Sequence, residues 1–340
     1  MQNPYYQREI AADAIQKRMG QYRISTKSGR HKLLLPLSYG LSSTVLLRIL
    51  NSHLEHQRHK YSGPGYDLYI LVIEPSSISP SNQPTEQIFD LIQERFPSHF
   101  YTRLPFHSIF EHDSDVQEAM SKFAGPGFAD NPSLSHKERL DAFRASIPTA
   151  TSKTDVDYAL MNRLIVACAK KFGCTGILWG DSDSRLAAKT LASVAKGRGS
   201  SVTWQVSDGM SPFGIEFNFP LRDLFSTEVQ QYAKLYPELH DIIIPDEPPS
   251  EDVLTKNLSI DELMMRYVLT QGEKYPGVMA NVTRTASKLQ SLSASNVPSC
   301  TFCGAKMGGS SNDSASTGIL GNTNSLQFCY GCTRSRPDVG

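Results

Sequence analysis

From residue 31 onward, short continuously apolar runs alternate with longer segments whose apolar residues recur at helical spacing. "KLLLPLS" and "DLYILVIE" have almost no polar positions, the pattern of strands covered on both faces. Between them "VLLRILNSHL" has a helical period. "EQIFDLIQERF" repeats that period and "FYTRLPF" is a third strand candidate. The rhythm returns with the helix "DVDYALMNRLIVACAKKFGC" and with "TGILWG", a short buried strand that ends at Gly180. "DSDSRLAAKTLASVAKGRG" follows, a helix opened by cap-type residues at Asp181 to Ser184 and closed by Gly197-Arg198-Gly199. Two further short strands and "PLRDLFSTEVQQYAKLY" complete this part, and residues 259 to 290 are again helical. Strands alternating with helices predict an α/β, Rossmann-like domain with a parallel sheet over residues 31–290. The stretch 111–155, rich in Asp, Ser and Pro, interrupts the alternation and reads as an insertion, helical around "KERLDAFRAS". An N-terminal basic helical segment, 1–30, precedes the domain, and a small cysteine module, 291–340, follows it.

Composition narrows the classes of function. Thirty-four basic residues balance 34 acidic ones in 340, so no global field attracts polyanions. The exception is local. Lys17, Arg18, Arg23, Lys27, Arg30 and Lys32 lie in a run without a single acid. No apolar run approaches the roughly 18 residues of a membrane span, and "MQNPYYQREI" lacks the order of a secretory signal. A cytoplasmic location without membrane contact is the expectation.

Four groups of residues carry candidate chemistry. Cys300 and Cys303 form one CxxC pair, and Cys329 and Cys332 another. In a reducing compartment two such knuckles point to a tetrahedral thiolate site for structural zinc, with an iron–sulfur or redox role as the alternative. Four thiolates leave no open position for catalysis. In "LLLPLSYGLSST", Ser38, Gly40, Ser42 and Ser43 stand where a strand turns into a helix, a position that binds phosphates in nucleotide-binding folds or is a structural turn. Gly180, Asp181 and Asp183 end another strand, as ligand-binding carboxylates or ordinary N-caps. Lys196, Arg198 and Arg222 are candidate RNA phosphate contacts or solvated helix ends and a local ion pair with Asp223. Cys168 and Cys174 sit among apolar neighbours and read as packing.

Taken together these segments resemble one family. "LLLPLSYGLSSTVLL" resembles a degenerate PP-loop, Ser-Gly-Gly-x-Asp-Ser, of ATP pyrophosphatases. "GILWGDSDSRLAAKTLASVAKGRGS", "PLRDLFSTEV", "YPGVMANVTRTASKL" and "CTFC…CYGC" then follow in the order found in the cytoplasmic tRNA 2-thiolation protein 2 family, over about residues 5–335. The resemblance implies a part in making 2-thiouridine at the wobble position, U34, of tRNAs for Lys, Gln and Glu. It implies heterodimerisation with a catalytic PP-loop thiouridylase paralogue that activates the uridine with ATP. Sulfur would arrive on a ubiquitin-like carrier. Against the active pattern, Tyr39 replaces a glycine and Ser42 an aspartate, so the phenol is expected to obstruct the site and ATP binding is in doubt. Residues 151–163 also lack the reactive cysteine of active thiouridylases, and none precedes Cys168, where family members carry an N-terminal zinc site. The expectation is a non-catalytic, tRNA-contacting subunit. The alternative is an active tRNA-adenylating thiouridylase that uses Ser38, Gly40, Ser43 and Asp181.

Overall fold

In β1 (His31–Pro36), Leu33 and Leu35 pack into one apolar layer while Leu34 packs into the other, and all three are fully buried. That is why the run has no polar position: both faces of the strand are covered. The same division holds along β2 (Tyr66–Glu74), where Leu68, Ile70 and Val72 face one layer and Leu71 the other. These assignments come from a computed structural model that describes Ile10, Asp13, Lys17 and residues 31–60, 63–74, 85–245, 258–272, 274–289, 297–307 and 328–337.

The sheet has the order β3-β2-β1-β4-β6-β5. β3 (Phe100–Pro105), β4 (Gly176–Leu178) and β6 (Glu216–Asn218) are parallel to their neighbours, and β5 (Gly209–Met210) pairs antiparallel with β6 at the edge. The expected α/β fold with a mostly parallel sheet is thus present. On one face lie α1 (Leu41–Lys60), α2 (Thr85–Arg95) and, later in the chain, Val229, Tyr232 and Ala233 of a helix at Ser226–Lys234. Strand order reverses at β1, which has β2 on one side and β4 on the other, so a crevice opens between the carboxyl ends of β1 and β4.

The other face is built largely by the stretch read as an insertion. α3 (Ile109–His112), α4 (Val116–Ala124) and α5 (His136–Ala145) contribute Ile109, Val116, Met120, Phe123, Leu140 and Phe143 to the same core as the long α6 (Ala150–Lys171). α5 is fixed at its start by a capping box, with the Ser135 hydroxyl accepting from the Glu138 amide at 3.3 Å and the Glu138 carboxylate accepting from the Ser135 amide at 2.9 Å. α7 (Asp183–Ala195) leads to the short α8 (Val202–Val206), and the Ser226–Lys234 helix is α9. α10 (Ile260–Gly272) and α11 (Pro276–Lys288) cover α7 through Val268 and Met279 against Ala187 and Ala188.

The cysteine segments do not form a detached lobe among the described residues. Cys300, Phe302, Cys303, Ala305, Cys329 and Cys332 belong to the main core, and the Phe302 ring stacks on Phe123 at 4.2 Å. α12 (Tyr330–Arg334) starts within the second knuckle. The physical reason is the insertion: its apolar helix faces supply a floor that the composition of 111–155 did not disclose.

Candidate functional site

The crevice between β1 and β4 is a cleft of about 460 Å³ lined by Ser38, Tyr39, Gly40, Ser42, Ser43, Glu74, Gly180, Asp181, Arg185 and Lys189, among others. The turn's hydroxyls bond to one another. Ser38 Oγ and Ser43 Oγ are 3.1 Å apart, Ser43 Oγ donates to the Gly40 carbonyl at 3.1 Å, and the Gly40 amide reaches Ser38 Oγ at 3.4 Å. Opposite them, a Cβ on Gly180 would lie 2.6 Å from the Ser43 Cα, so only glycine lets β4 approach the start of α1 this closely. Sequence reasoning placed Ser38, Gly40, Ser42, Ser43, Gly180 and Asp181 at one site, and the structure brings them together.

Tyr39 occupies the left-handed region at φ 59°, the single non-glycine among the described residues with positive φ. An L-residue adopts that conformation at a cost of about 1–2 kcal/mol. The ring is 4 % exposed and packs in the layer of α1, α2 and β2, and its amide carbonyl accepts from Ile244 at 2.9 Å. Burial pushes the phenol well above its ordinary range, with Arg103 opposing the shift. Tyr39 was expected to obstruct the site; its ring forms part of the wall of the cleft, which has the volume given above.

The carboxylates of the cleft are held by cations. Asp181, nearly buried, accepts from Lys189 Nζ at 2.6 Å and lies 3.8 Å from Arg185 Nε. Glu74 is bonded to Arg103. Lys189, which the sequence did not single out, also faces the rings of Tyr158 at 5.5 Å and Trp179 at 5.8 Å. Its only sequence-level signal is the spacing of eight from Asp181, which stands two residues before α7.

Asp183 is the first residue of α7 and is buried. Its Oδ2 is buried without a hydrogen-bond partner among the described residues, and burial raises the carboxyl to about 6, with Thr283 opposing the shift and Asp223 adding to it. The folded chain therefore holds this proton up to higher pH than the unfolded chain does, and stability falls as pH climbs from about 4 to 6 and stays lowered above. Asp183→Asn is expected to raise stability at pH 7.5 by roughly 1–2 kcal/mol, the shift being discounted for partial solvation. Urea unfolding at pH 4.5 and 7.5 checks this, and the gain should shrink at the lower pH.

The second centre lies past Lys189, where Asp155 and Tyr158 of α6, Ser193 of α7 and Arg198 line a smaller space together with Cys303. The sulfurs of Cys300, Cys303, Cys329 and Cys332 all lie within 4.8 Å of one another, and all four residues are buried. Hydrogen bonding with Cys303 drives the Cys300 thiol far below its ordinary value, while hydrogen bonding with Cys300 drives Cys332 upward. Such a crowd is a ready set of donors for one soft cation. Cys168 and Cys174 stand apart, with burial lifting each thiol to about 11, so neither has the character of a nucleophile.

The expected RNA contacts fall into three groups. Lys17 is exposed on a helical residue, and Arg18, Arg23, Lys27 and Arg30 lie outside the described residues. Lys32 is half-buried beside the Phe172 carbonyl at 3.5 Å and the Tyr69 ring at 5.6 Å. Lys196, Arg198 and Arg222 are corrected: none projects into solvent. Arg222 faces Asp208 at 3.8 Å with its side chain 12 % exposed, Lys196 Nζ bonds Asp261 at 2.8 Å and Asp155 at 3.1 Å, and Arg198 is buried against Asp155. Asp155 was not anticipated, because it lies 43 positions before Arg198 and no local pattern links the two.

Comparison with known proteins adds three findings. Residues 259–326 match the family model described as cytoplasmic tRNA 2-thiolation protein 2. Curated proteins of that name are similar along nearly the whole chain. The one from Neosartorya fischeri is 65 % identical over 328 residues, covering 95 % of this chain and 88 % of its own, and the one from Emericella nidulans is 54 % identical over 326, covering 94 % and 100 %. Among solved structures, the U34-tRNA thiolase NcsA from Methanococcus maripaludis, determined with its 4Fe–4S cluster, superposes with a TM-score of 0.57 at 12 % identity, over 89 % of this chain and 85 % of that one. That likeness is one of fold.

Proposed function

The chain belongs to the cytoplasmic tRNA 2-thiolation protein 2 family, and from that membership we propose that it is the non-catalytic subunit of a cytoplasmic complex that thiolates U34 in tRNAs for Lys, Gln and Glu. In this reading it binds tRNA and pairs with a catalytic PP-loop paralogue, which activates the uridine with ATP, while a ubiquitin-like carrier brings the sulfur. The observation that supports it is the state of the cleft carboxylates: Asp181 is bound to Lys189 and Glu74 to Arg103, so neither is free to hold the magnesium that accompanies a transferring phosphate. Ser42, buried at the start of α1, adds no charge where the active pattern has an aspartate.

The decisive experiment measures AMP formation from labelled ATP with cognate tRNA, using this chain alone, the paralogue alone and the two mixed. No turnover by this chain and stimulation in the mixture are expected. Turnover by this chain alone would instead favour an adenylating enzyme that works through Ser38, Gly40 and Ser43 in the open cleft.

For tRNA, the proposal rests on the run Lys17, Arg18, Arg23, Lys27, Arg30 and Lys32, where phosphate contacts would position the RNA without reading its sequence. Charge reversal at Lys17, Arg18 and Arg23 is expected to weaken binding by about tenfold or more near physiological salt and to flatten its salt dependence. Binding unchanged at every salt concentration would move the RNA to another surface.

The cysteine centre fits zinc in a structural role. A single ion with bonds of about 2.3 Å draws four sulfurs into a compact tetrahedron, as their mutual approach within 4.8 Å allows. An iron–sulfur cubane places irons and sulfides between the thiolates and spreads them further apart. Bound zinc would hold the two knuckles together, and with four thiolates it would have no open position to offer a substrate.

A further inference from the structure

Arg198 follows α7 in the loop Gly197-Arg198-Gly199 and is 6 % exposed. Its guanidinium divides its donors between two partners. Nε donates to Asp155 at 2.8 and 3.0 Å and Nη2 also bonds that carboxylate, while Nη1 reaches Cys303 Sγ at 3.5 Å and Cys329 Sγ at 3.7 Å and Nη2 reaches Cys332 Sγ at 3.4 Å. Three of the four sulfurs thus face one cation. Asp155 is itself held by Ser335 Oγ at 2.9 Å and Lys196 Nζ at 3.1 Å. The space is reserved for this arrangement, since a Cβ on Gly331, between the two cysteines of the second knuckle, would lie 2.5 Å from Arg198 Cγ.

We propose that Arg198, held in register by Asp155, is the built-in counter-charge of the four-cysteine centre and determines how tightly that centre keeps its metal. The proposal rests on the metal-site reading given above. Four thiolates around one divalent ion leave two negative charges in a core shared with Phe123 and Phe302. Burying such charge is costly unless donors meet it. A planar fork can address a carboxylate on one edge and sulfurs on the other, which the point charge of an ammonium cannot. Arg198 is therefore a positioning residue for the centre, and Asp155 positions Arg198.

The test uses the full chain loaded with zinc and titrated with a chromogenic chelator. Arg198→Gln is expected to lose 10–100-fold in zinc affinity, the range for residues that orient metal ligands. Arg198→Lys should recover part of the loss. Because Arg198→Gln alone leaves Asp155 short of a partner, the double variant Asp155→Asn with Arg198→Gln is measured too, with folding followed by circular dichroism. It should fold and still bind zinc more weakly than the unaltered chain. On the unaltered protein loaded with ¹¹³Cd and labelled with ¹⁵N-arginine, one guanidinium should exchange its protons slowly and show scalar coupling to the metal through sulfur. Unaltered zinc affinity in a folded variant, or cadmium bound with no coupled guanidinium, overturns the role of Arg198. Failure of the unaltered chain to bind either metal overturns the metal site itself.

Discussion

With the proposed zinc bound at the four-cysteine centre, its removal is expected to destabilise the whole domain, lowering the midpoint of thermal unfolding by roughly 10 °C. The centre is part of the main core: Cys300, Cys303, Cys329 and Cys332 share a cluster with Phe123, Phe143 and Leu164, and Phe302 stacks on Phe123 from within the first knuckle. Losing the ion leaves four buried thiols in mutual contact and removes the bond between segments that the chain itself connects only through a polar stretch. Structural zinc contributes about 10–16 kcal/mol in isolated fingers. Here the surrounding core retains part of the order, so a loss of about 5 kcal/mol is the expected size, which gives the stated shift at a few degrees per kcal/mol. Calorimetry with and without a zinc-selective chelator, followed by metal add-back, measures it. An unchanged transition would show that the knuckles are held by packing alone.

Asp155→Ala is expected to have a comparable effect, about 3–5 kcal/mol, because it removes one member of a buried ion network and leaves the others unpaired. The carboxylate is 1 % exposed and is shared by Arg198, Lys196 and Ser335. Burial by itself pushes its carboxyl up, but Arg198 and Lys196 outweigh that and hold it below the ordinary 3.8. A carboxyl lowered by folding stabilises the native state above the unfolded value and loses that contribution as pH falls towards the lowered one. Stability of the unaltered chain should therefore decline in acid below about pH 4, and part of that decline should be absent from Asp155→Ala. Urea midpoints measured from pH 7 to pH 3 test both the size and the slope. A loss under 1 kcal/mol at pH 7 would mean that Arg198 and Lys196 find other partners.

The central sheet was legible because β1 and β2 are buried on both faces and leave no choice of pattern, and because α7 carries turn and cap residues at both ends. The crevice was legible for a related reason. Ser38, Gly40, Ser43, Gly180 and Asp181 occupy chain positions that a parallel sheet must bring to one edge. The direction of a side chain was not legible in the same way. Tyr39 sits where expected, but its ring lies in the wall because the left-handed backbone and the apolar layer of Leu37 and Leu46 decide where it goes. Arg198 looked like the exposed end of a helix, and only the packing of residues 155, 303, 329 and 332 around it made it internal. Within 111–155 the helix around residues 137–146 was legible and is α5, whereas α3 and α4 were obscured by polar composition, although Val116, Met120 and Phe123 lie at helical spacing and share one core.

The two knuckles also define a place where the chain tolerates engineering. Cys303 and Cys329 are separated by 25 intervening residues in sequence, yet their sulfurs lie 3.6 Å apart. A segment whose ends are clamped together gains only about 0.6 kcal/mol of closure cost when its length doubles. A fluorescent domain or affinity tag inserted between residues 312 and 320 would thus be carried with little effect on the core, giving a handle for isolating the chain with whatever it binds.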